Sequence, residues 1–335
     1  MTMKSNRLLI LGAFLLALSR AEARPVPILN VADLAGTADV IVLGKIVSTR
    51  LVGVTTLDLG VEKVPSRVMA GELHAREVLK GVPGASDITV RFFLPGYFIG
   101  YPTPPVGTSA IFFLNQKGQG YDFTSPYYPS VVGAPTAAPD GGTLVDRLTM
   151  RVGAVIESAE TSLDQKRQAV FVLGLTPGAK STQMLQAASR LYEPTVRLNA
   201  VAALLRRNDI SGLKPAAEAL LGPAEDPPSE VTQNLLSGIG LVKDPNAVPT
   251  LATLLKQGRA PVRRAAASAL ARTASPSAID ALAQALDDGD HQVRYYAVIG
   301  LADITGQPSR RPNADDFRDR EASYLSYWKE WRRAR

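Results

Sequence analysis

Val262-Arg263-Arg264-Ala265-Ala266-Ala267-Ser268-Ala269-Leu270 returns 31 residues later as Val293-Arg294-Tyr295-Tyr296-Ala297-Val298-Ile299-Gly300-Leu301, with valine, arginine, alanine and leucine each in place. Just upstream, Ala247, Val248, Leu251, Leu255 and Gly258 come back as Ala278, Ile279, Leu282, Leu286 and Gly289, at the same offset of 31. Val196, Arg197, Ala200 and Leu204 hold the phase earlier. Val231, Leu235 and Ile239 follow them at 35, the extra residues falling in the Pro/Gly-rich stretch 222–228. Ala169 and Leu173 carry the pattern one copy further back, with Gln165 in the valine's place. Five copies therefore begin near Leu163, Glu193, Pro228, Ala260 and Asp290, the last contributing only its first helix before the tail. Self-similarity at this period marks stacked units that cannot bury their apolar faces alone.

Each copy reads as a helical hairpin. Val262, Ala266, Ala269 and Leu270 form one apolar stripe at i, i+4, i+7 and i+8, and Ala278, Leu282, Ala285 and Leu286 repeat it on a partner helix. Ser275-Pro276-Ser277 breaks the two helices, and Gly258 and Gly289 stand where a left-handed residue would end the second one. The phrase Val-Arg-x-x-Ala-x-x-x-Leu resembles HEAT-like repeats of the bilin-lyase type, over roughly residues 163–306. The resemblance implies an α-solenoid. By analogy it also implies an enzyme or enzyme subunit as the alternative to an interaction protein.

The first residues are of another kind. Lys4 and Arg7 precede an apolar run, residues 8–18, and Ala21-Glu22-Ala23 offers a small-x-small cleavage site, so residues 1–23 read as a secretory signal peptide. An uncleaved anchor is the alternative. Cleavage would remove three cations and one anion, taking the net charge from +6 to +4. With no cysteine, an exported chain has neither disulfides nor a lipoprotein anchor, and with only His74 and His291 it lacks the ligands of a thiolate or multi-histidine metal site. The expected setting is a bacterial periplasm, envelope or extracellular space, without a stable membrane span after cleavage.

Residues 24–143 are β-rich. Asn30 caps a short helix that Gly36 should end, and strands are expected over residues 39–50, 67–79, 87–94 and 108–114. Gln116-Lys117-Gly118-Gln119-Gly120 makes a hairpin loop into residues 121–123. The order Ala38-Asp39-Val40-Ile41-Val42-Leu43-Gly44-Lys45-Ile46, then Glu77-Val78-Leu79-Lys80-Gly81, then residues 107–114 resembles the netrin-like OB barrel of tissue inhibitors of metalloproteases. Those inhibitors place an N-terminal cysteine on the target's zinc, and this chain has none, so the mechanism does not carry over. The whole is expected to be α+β in two domains. A small antiparallel OB-like barrel (24–143) precedes a HEAT-like α-solenoid (144–310), and residues 311–335 form a capping helix.

That tail carries Phe317, Tyr324, Leu325, Trp328 and Trp331 on one face and Lys329, Arg332, Arg333 and Arg335 towards its end. Covering the last repeat outweighs a membrane or nucleic-acid role, because a solenoid needs its end closed. Asp287-Asp288-Gly289-Asp290 is too short for an EF-type calcium loop, whose ligands extend over about twelve residues, and reads as an inter-repeat turn. His291 beside Asp290 lacks a nucleophile elbow, and His74 falls with Glu72 and Arg76 on a solvated strand face. Arg197, Arg263 and Arg294 form a ladder expected to pair with carbonyls or carboxylates across repeats.

No catalytic residue, cofactor or metal is expected. The function read from the chain is an exported, non-catalytic protein–protein interaction scaffold, with a structural envelope component as a further alternative and no nucleic-acid partner. Partner contact is expected on an in-phase polar stripe of the second helices, Glu218, Thr253 and Gln284, and on the aromatic Pro-rich stretch holding Tyr97, Phe98 and Tyr101.

Overall fold

The computed structural model describes residues 30–58, 63–96, 102–135, 142–223 and 229–335. The expected signal peptide therefore lies outside the described residues, as do Tyr97, Phe98 and Tyr101.

A short helix, α1 (Val31–Thr37), opens the described chain. The Asn30 side chain accepts hydrogen bonds from the Ala32 and Asp33 amides. Gly36 does not end this helix; it lies inside it, and Ala38 is the C-cap. The Lys80 ammonium closes the end, donating to the carbonyls of Ala35 (2.8 Å) and Ala38 (2.6 Å), a cation where the helix dipole is negative.

Six strands follow: β1 (Val40–Asp58), β2 (Lys63–Lys80), β3 (Asp87–Pro95), β4 (Ser109–Lys117), β5 (Gly120–Phe123) and β6 (Ser130–Val132). They pair in the order β1-β2-β3-β5-β4-β6, and β1 also pairs with β4. All pairings are antiparallel except β3–β5. The sheet is not a clear barrel. The β3–β5 seam holds only two residue pairs, Val90–Tyr121 and Arg91–Asp122, and β6 continues outward from β4. Gly118, with φ +60°, turns β4 into β5 as the glycine-rich loop requires.

Burial explains the composition of these strands. In β3 the alternating Ile88, Val90 and Phe92 point inward. In β1 and β4 the apolar residues are continuous because both faces are covered. Val40, Val42, Phe112 and Leu114 face the sheet's own interior. Ile41, Leu43, Ile111 and Phe113 join α1 and the first solenoid helices in a second core.

Among the described residues eleven α-helices follow, from α2 (Leu144–Glu157), which lies against the sheet, to the end. Four hairpins are α3 (Leu163–Leu175) with α4 (Ala179–Ala188), α5 (Pro194–Arg206) with α6 (Leu213–Leu221), α7 (Glu230–Gly240) with α8 (Val248–Gln257), and α9 (Ala260–Thr273) with α10 (Ile279–Ala285); the fifth copy gives its first helix, α11 (His291–Ile304), and the tail helix α12 (Ala314–Arg333) follows it. The hairpin starts fall where the 31-residue phase puts them. The helix α5 is buried almost all round, and its two sides belong to the two cores that meet along it. No helix among the described residues is long and apolar enough to cross a membrane.

The turns correct one expectation. Gly258 has φ −74° and extended ψ rather than a left-handed conformation, and Gly289 is likewise not at positive φ. Gly258 is needed for room: a Cβ there would lie 2.6 Å from the Leu254 carbonyl oxygen and from Val262 Cγ1. The left-handed residue of that hairpin is Ala274, at the end of α9.

Leu270 is fully buried at the centre of the repeat core. Leu270→Ala is expected to cost about 3 kcal/mol by lost transfer energy and a residual cavity. Urea unfolding followed by helical circular dichroism checks this, and a neutral result would mean that the repeat phase is wrong.

Candidate interaction grooves

The arginine ladder is structural. Arg197 donates to the carbonyls of Leu191 (3.1 Å) and Tyr192 (3.0 Å), Arg263 to that of Gly258 (3.1 Å) and Arg294 to that of Asp288 (2.8 Å). Each first helix is thus tied to the turn that enters it. In the last two copies the same arginines also reach a carboxylate of the next element: Arg263 grips Asp288 with two bonds of 2.7 and 2.8 Å, and Arg294 holds Glu321 at 2.6 Å.

The acidic turn is spent in the same way. Asp287 pairs with Lys329 (2.7 Å) and Arg332 (2.9 Å) of α12, and Asp290 pairs with Arg264 at 2.6 Å. Arg335 reaches Asp280 at 3.2 Å. The tail's cations are therefore directed onto α10 and its turn. Phe317 and Trp328 are fully buried against the last repeat, so α12 is a cap. His291 Nδ1 donates to the Glu321 carboxylate at 3.0 Å, and the ring lies beside that of Phe317. His74 contacts Asp87 at 2.8 Å on the exposed sheet face. No group of three or more metal-ligating side chains occurs among the described residues.

Hydrogen bonding from Arg264 holds the Asp290 carboxyl down at about 2, from an ordinary 3.8. A depressed carboxyl contributes stability that is complete above its unfolded value and lost as pH falls through the folded one. Asp290 also caps α11, accepting from the Gln292 and Val293 amides, and asparagine caps equally well. Asp290→Asn is therefore expected to lower the thermal midpoint at neutral pH, with the gap to the parent closing between about pH 4 and pH 2. A gap independent of pH would assign the loss to the cap instead.

Three of the hollows among the described residues bear on a partner. The first lies on the second-helix side, between α8 and α10, with a volume of 880 Å³. Thr253 and Gln284 both line it and are exposed, although the Thr253 hydroxyl is turned to the Pro249 carbonyl (3.1 Å). Glu218 is exposed on α6 but does not line this hollow.

The second lies on the first-helix side and was not anticipated. Its 750 Å³ is lined by α3, α5 and α7 together, with Gln168 and Phe171 from α3, Asn199 and Arg206 from α5, and Asn234 and Ser237 from α7. Arg167 on α3 forms an ion pair with Glu230, two repeats further on. A side chain spans that distance only where the first-helix face curves inward. The signal was present in the sequence: Gln168, Asn199 and Asn234 each stand three residues after the repeat's valine position, a polar phase among apolar ones.

The third, of 620 Å³, sits where sheet and solenoid meet, between Pro102, Pro105, Tyr127, Tyr128 and Pro129 on one side and Ser162, Gln165 and Gln168 on the other. Pro102 is the residue that follows the aromatic stretch of Tyr97, Phe98 and Tyr101.

Residues 217–302 match the family model for HEAT repeats. Among solved structures, the CpcE–CpcF complex of phycocyanin lyase from Nostoc sp. PCC7120 is similar at 21% identity, over 52% of this chain and 71% of that one, with a TM-score of 0.37. A designed armadillo repeat protein in complex with the peptide (KR)4 is similar at 17% identity, over 50% of this chain and 88% of that one, with a TM-score of 0.34. A computationally designed armadillo repeat protein for modular peptide recognition follows at 16% identity, over 50% and 88%, with a TM-score of 0.32. No curated protein matches the chain significantly.

Proposed function

We propose that this chain is an exported, non-catalytic scaffold that holds a protein partner on the faces of its HEAT-repeat solenoid. The observation that carries the reading is the inward-curving first-helix face, where three successive helices wall one polar groove. Repeat stacks present such extended surfaces because each unit adds one helix to a shared face. The exposed stripe of Glu218, Thr253 and Gln284 offers a second contact surface, and Tyr97, Phe98 and Tyr101, outside the described residues, are the third candidate. The apolar leader, residues 8–18 with its Ala21-Glu22-Ala23 site, supports export.

The test is capture from the source organism's envelope extract on the immobilised full chain. A retained protein is expected, and its loss with Asn199→Arg plus Asn234→Arg, or with Thr253→Arg plus Gln284→Arg, would locate the surface. An empty eluate counts against the scaffold. Mass measurement of the chain from the periplasmic fraction is expected to give a start at Arg24, and a cytoplasmic chain with its leader intact would remove the export part. Incubation with a bilin is expected to leave no lasting absorbance change; a persistent one would favour an enzymatic role.

A further inference from the structure

The first-helix groove and the junction cleft lie side by side, with Gln168 in the lining of both. This trough in two parts reaches from Arg206 on α5, across α3, to the tyrosines and prolines beside the sheet. Its helical part is lined in phase by carboxamides, Gln168, Asn199 and Asn234. Asn199 spends its amide on the Thr195 carbonyl (2.8 Å) and its oxygen on the Asn234 amide (3.0 Å). The Asn234 oxygen and both polar atoms of Gln168 have no partner among the described residues. A carboxamide offers a donor and an acceptor side by side, the pair that the edge of an extended backbone requires.

The charges in the trough are unequal in what they leave free. Arg167 is neutralised by Asp164 (3.6 Å) and Glu230. Arg206 has no carboxylate partner among the described residues. It is reached by water yet surrounded by the groove walls, and this desolvation lowers its pKa. A guanidinium so placed is complementary to a carboxylate, which it can hold in two parallel bonds. At the other end, Pro102, Pro105 and Pro129 with the rings of Tyr127 and Tyr128 form one stiff side of a cleft whose other side carries Ser162, Gln165 and Gln168, and proline-aromatic surfaces of this kind receive extended or prolyl segments.

We infer that this trough binds one extended acidic peptide segment of a partner protein, its backbone on the carboxamides, a carboxylate on Arg206 and an apolar or prolyl side chain in the cleft between sheet and solenoid. The inference rests on the scaffold reading and adds to it the chemistry of the partner and a site that neither domain completes alone.

The experiment is selection of a displayed library of random linear peptides on the full chain, followed by fluorescence anisotropy of the selected peptides. Arg206→Gln breaks no hydrogen bond recorded within the chain, so its thermal midpoint should match the parent and its binding can be read directly. Enrichment in Asp and Glu is expected, with about a tenfold loss of affinity in Arg206→Gln. A comparable loss is expected when the peptide's acidic residue is replaced by its amide, and a further loss in Gln168→Ala. Selected peptides without acidic enrichment, or indifferent to Arg206→Gln, overturn the inference while leaving the scaffold reading in place. Loss on Thr253→Arg instead moves the site to the second-helix stripe and also overturns it. If no peptide is selected, the inference fails, and the scaffold reading is judged by the capture experiment alone.

Discussion

Trp328→Ala is expected to destabilise the chain by about 4 kcal/mol, and to do so from the C-terminal end. Trp328 is the largest fully buried side chain, with Trp331 and Tyr327 packed edge-on against it at 5.3 and 5.2 Å. It sits in the last repeat's core with Phe317, while Arg332 and Lys329 fasten the same helix to Asp287. Removing the indole leaves a cavity that a helix held at both ends cannot collapse to fill. Because each repeat leans only on its neighbours, the damage should appear first as lost protection of amides in α11 and α12, measured by hydrogen exchange. Trp328→Phe sharpens the test. The indole N–H is buried without a partner among the described residues, so phenylalanine removes an unsatisfied donor along with some volume. It should cost much less than alanine. Equal losses for the two variants would mean that the indole nitrogen finds a partner, and a loss below about 1 kcal/mol for alanine would mean that α12 docks only loosely.

The repeat half was legible because its signal is redundant. Valine, alanine and leucine recur in one phase through several copies, and the same spacing that makes a helix stripe makes the stack. The ladder of Arg197, Arg263 and Arg294 was equally legible, since one residue in one phase meets one environment, here the carbonyl of the preceding turn. The sheet was read more coarsely. The expected 39–50 matches β1 from Val40 on and the expected 67–79 falls inside β2, but both strands run further, to Asp58 and from Lys63. Polar and small residues there carry no alternation to follow. The short β6 escaped notice because three residues hold no period, and its place is set by pairing with β4. The first-helix groove went unread for a different reason. Curvature is a property of the stack and not of any one repeat, so in-phase carboxamides on the first helices look no different from polar residues on the second helices until Arg167 is seen to meet Glu230.

The join between sheet and solenoid turns on one buried cation, and its two partners are expected to respond unequally. Arg151 on α2 is 3% exposed and ion-paired with Glu77 on β2, whose side chain is 41% exposed. Its Nε and Nη1 are buried without partners. Glu77→Ala removes the only carboxylate recorded against this guanidinium and leaves a buried charge uncompensated, at a cost of about 4 kcal/mol. Arg151→Met fills the same space with an apolar chain, while Glu77 turns to water from its half-exposed place. That change removes two unsatisfied donors and should be near neutral or stabilising. Urea unfolding of the two variants separates them, and the Glu77→Ala transition should broaden, because the sheet and the first repeats share the core holding Ile41, Phe113, Leu148 and Val152. Equal destabilisation by both changes would mean that packing of the arginine stem, not its charge, secures the join. A neutral Glu77→Ala would mean that water reaches Arg151 and solvates it, and the two domains would then be held by apolar contact alone.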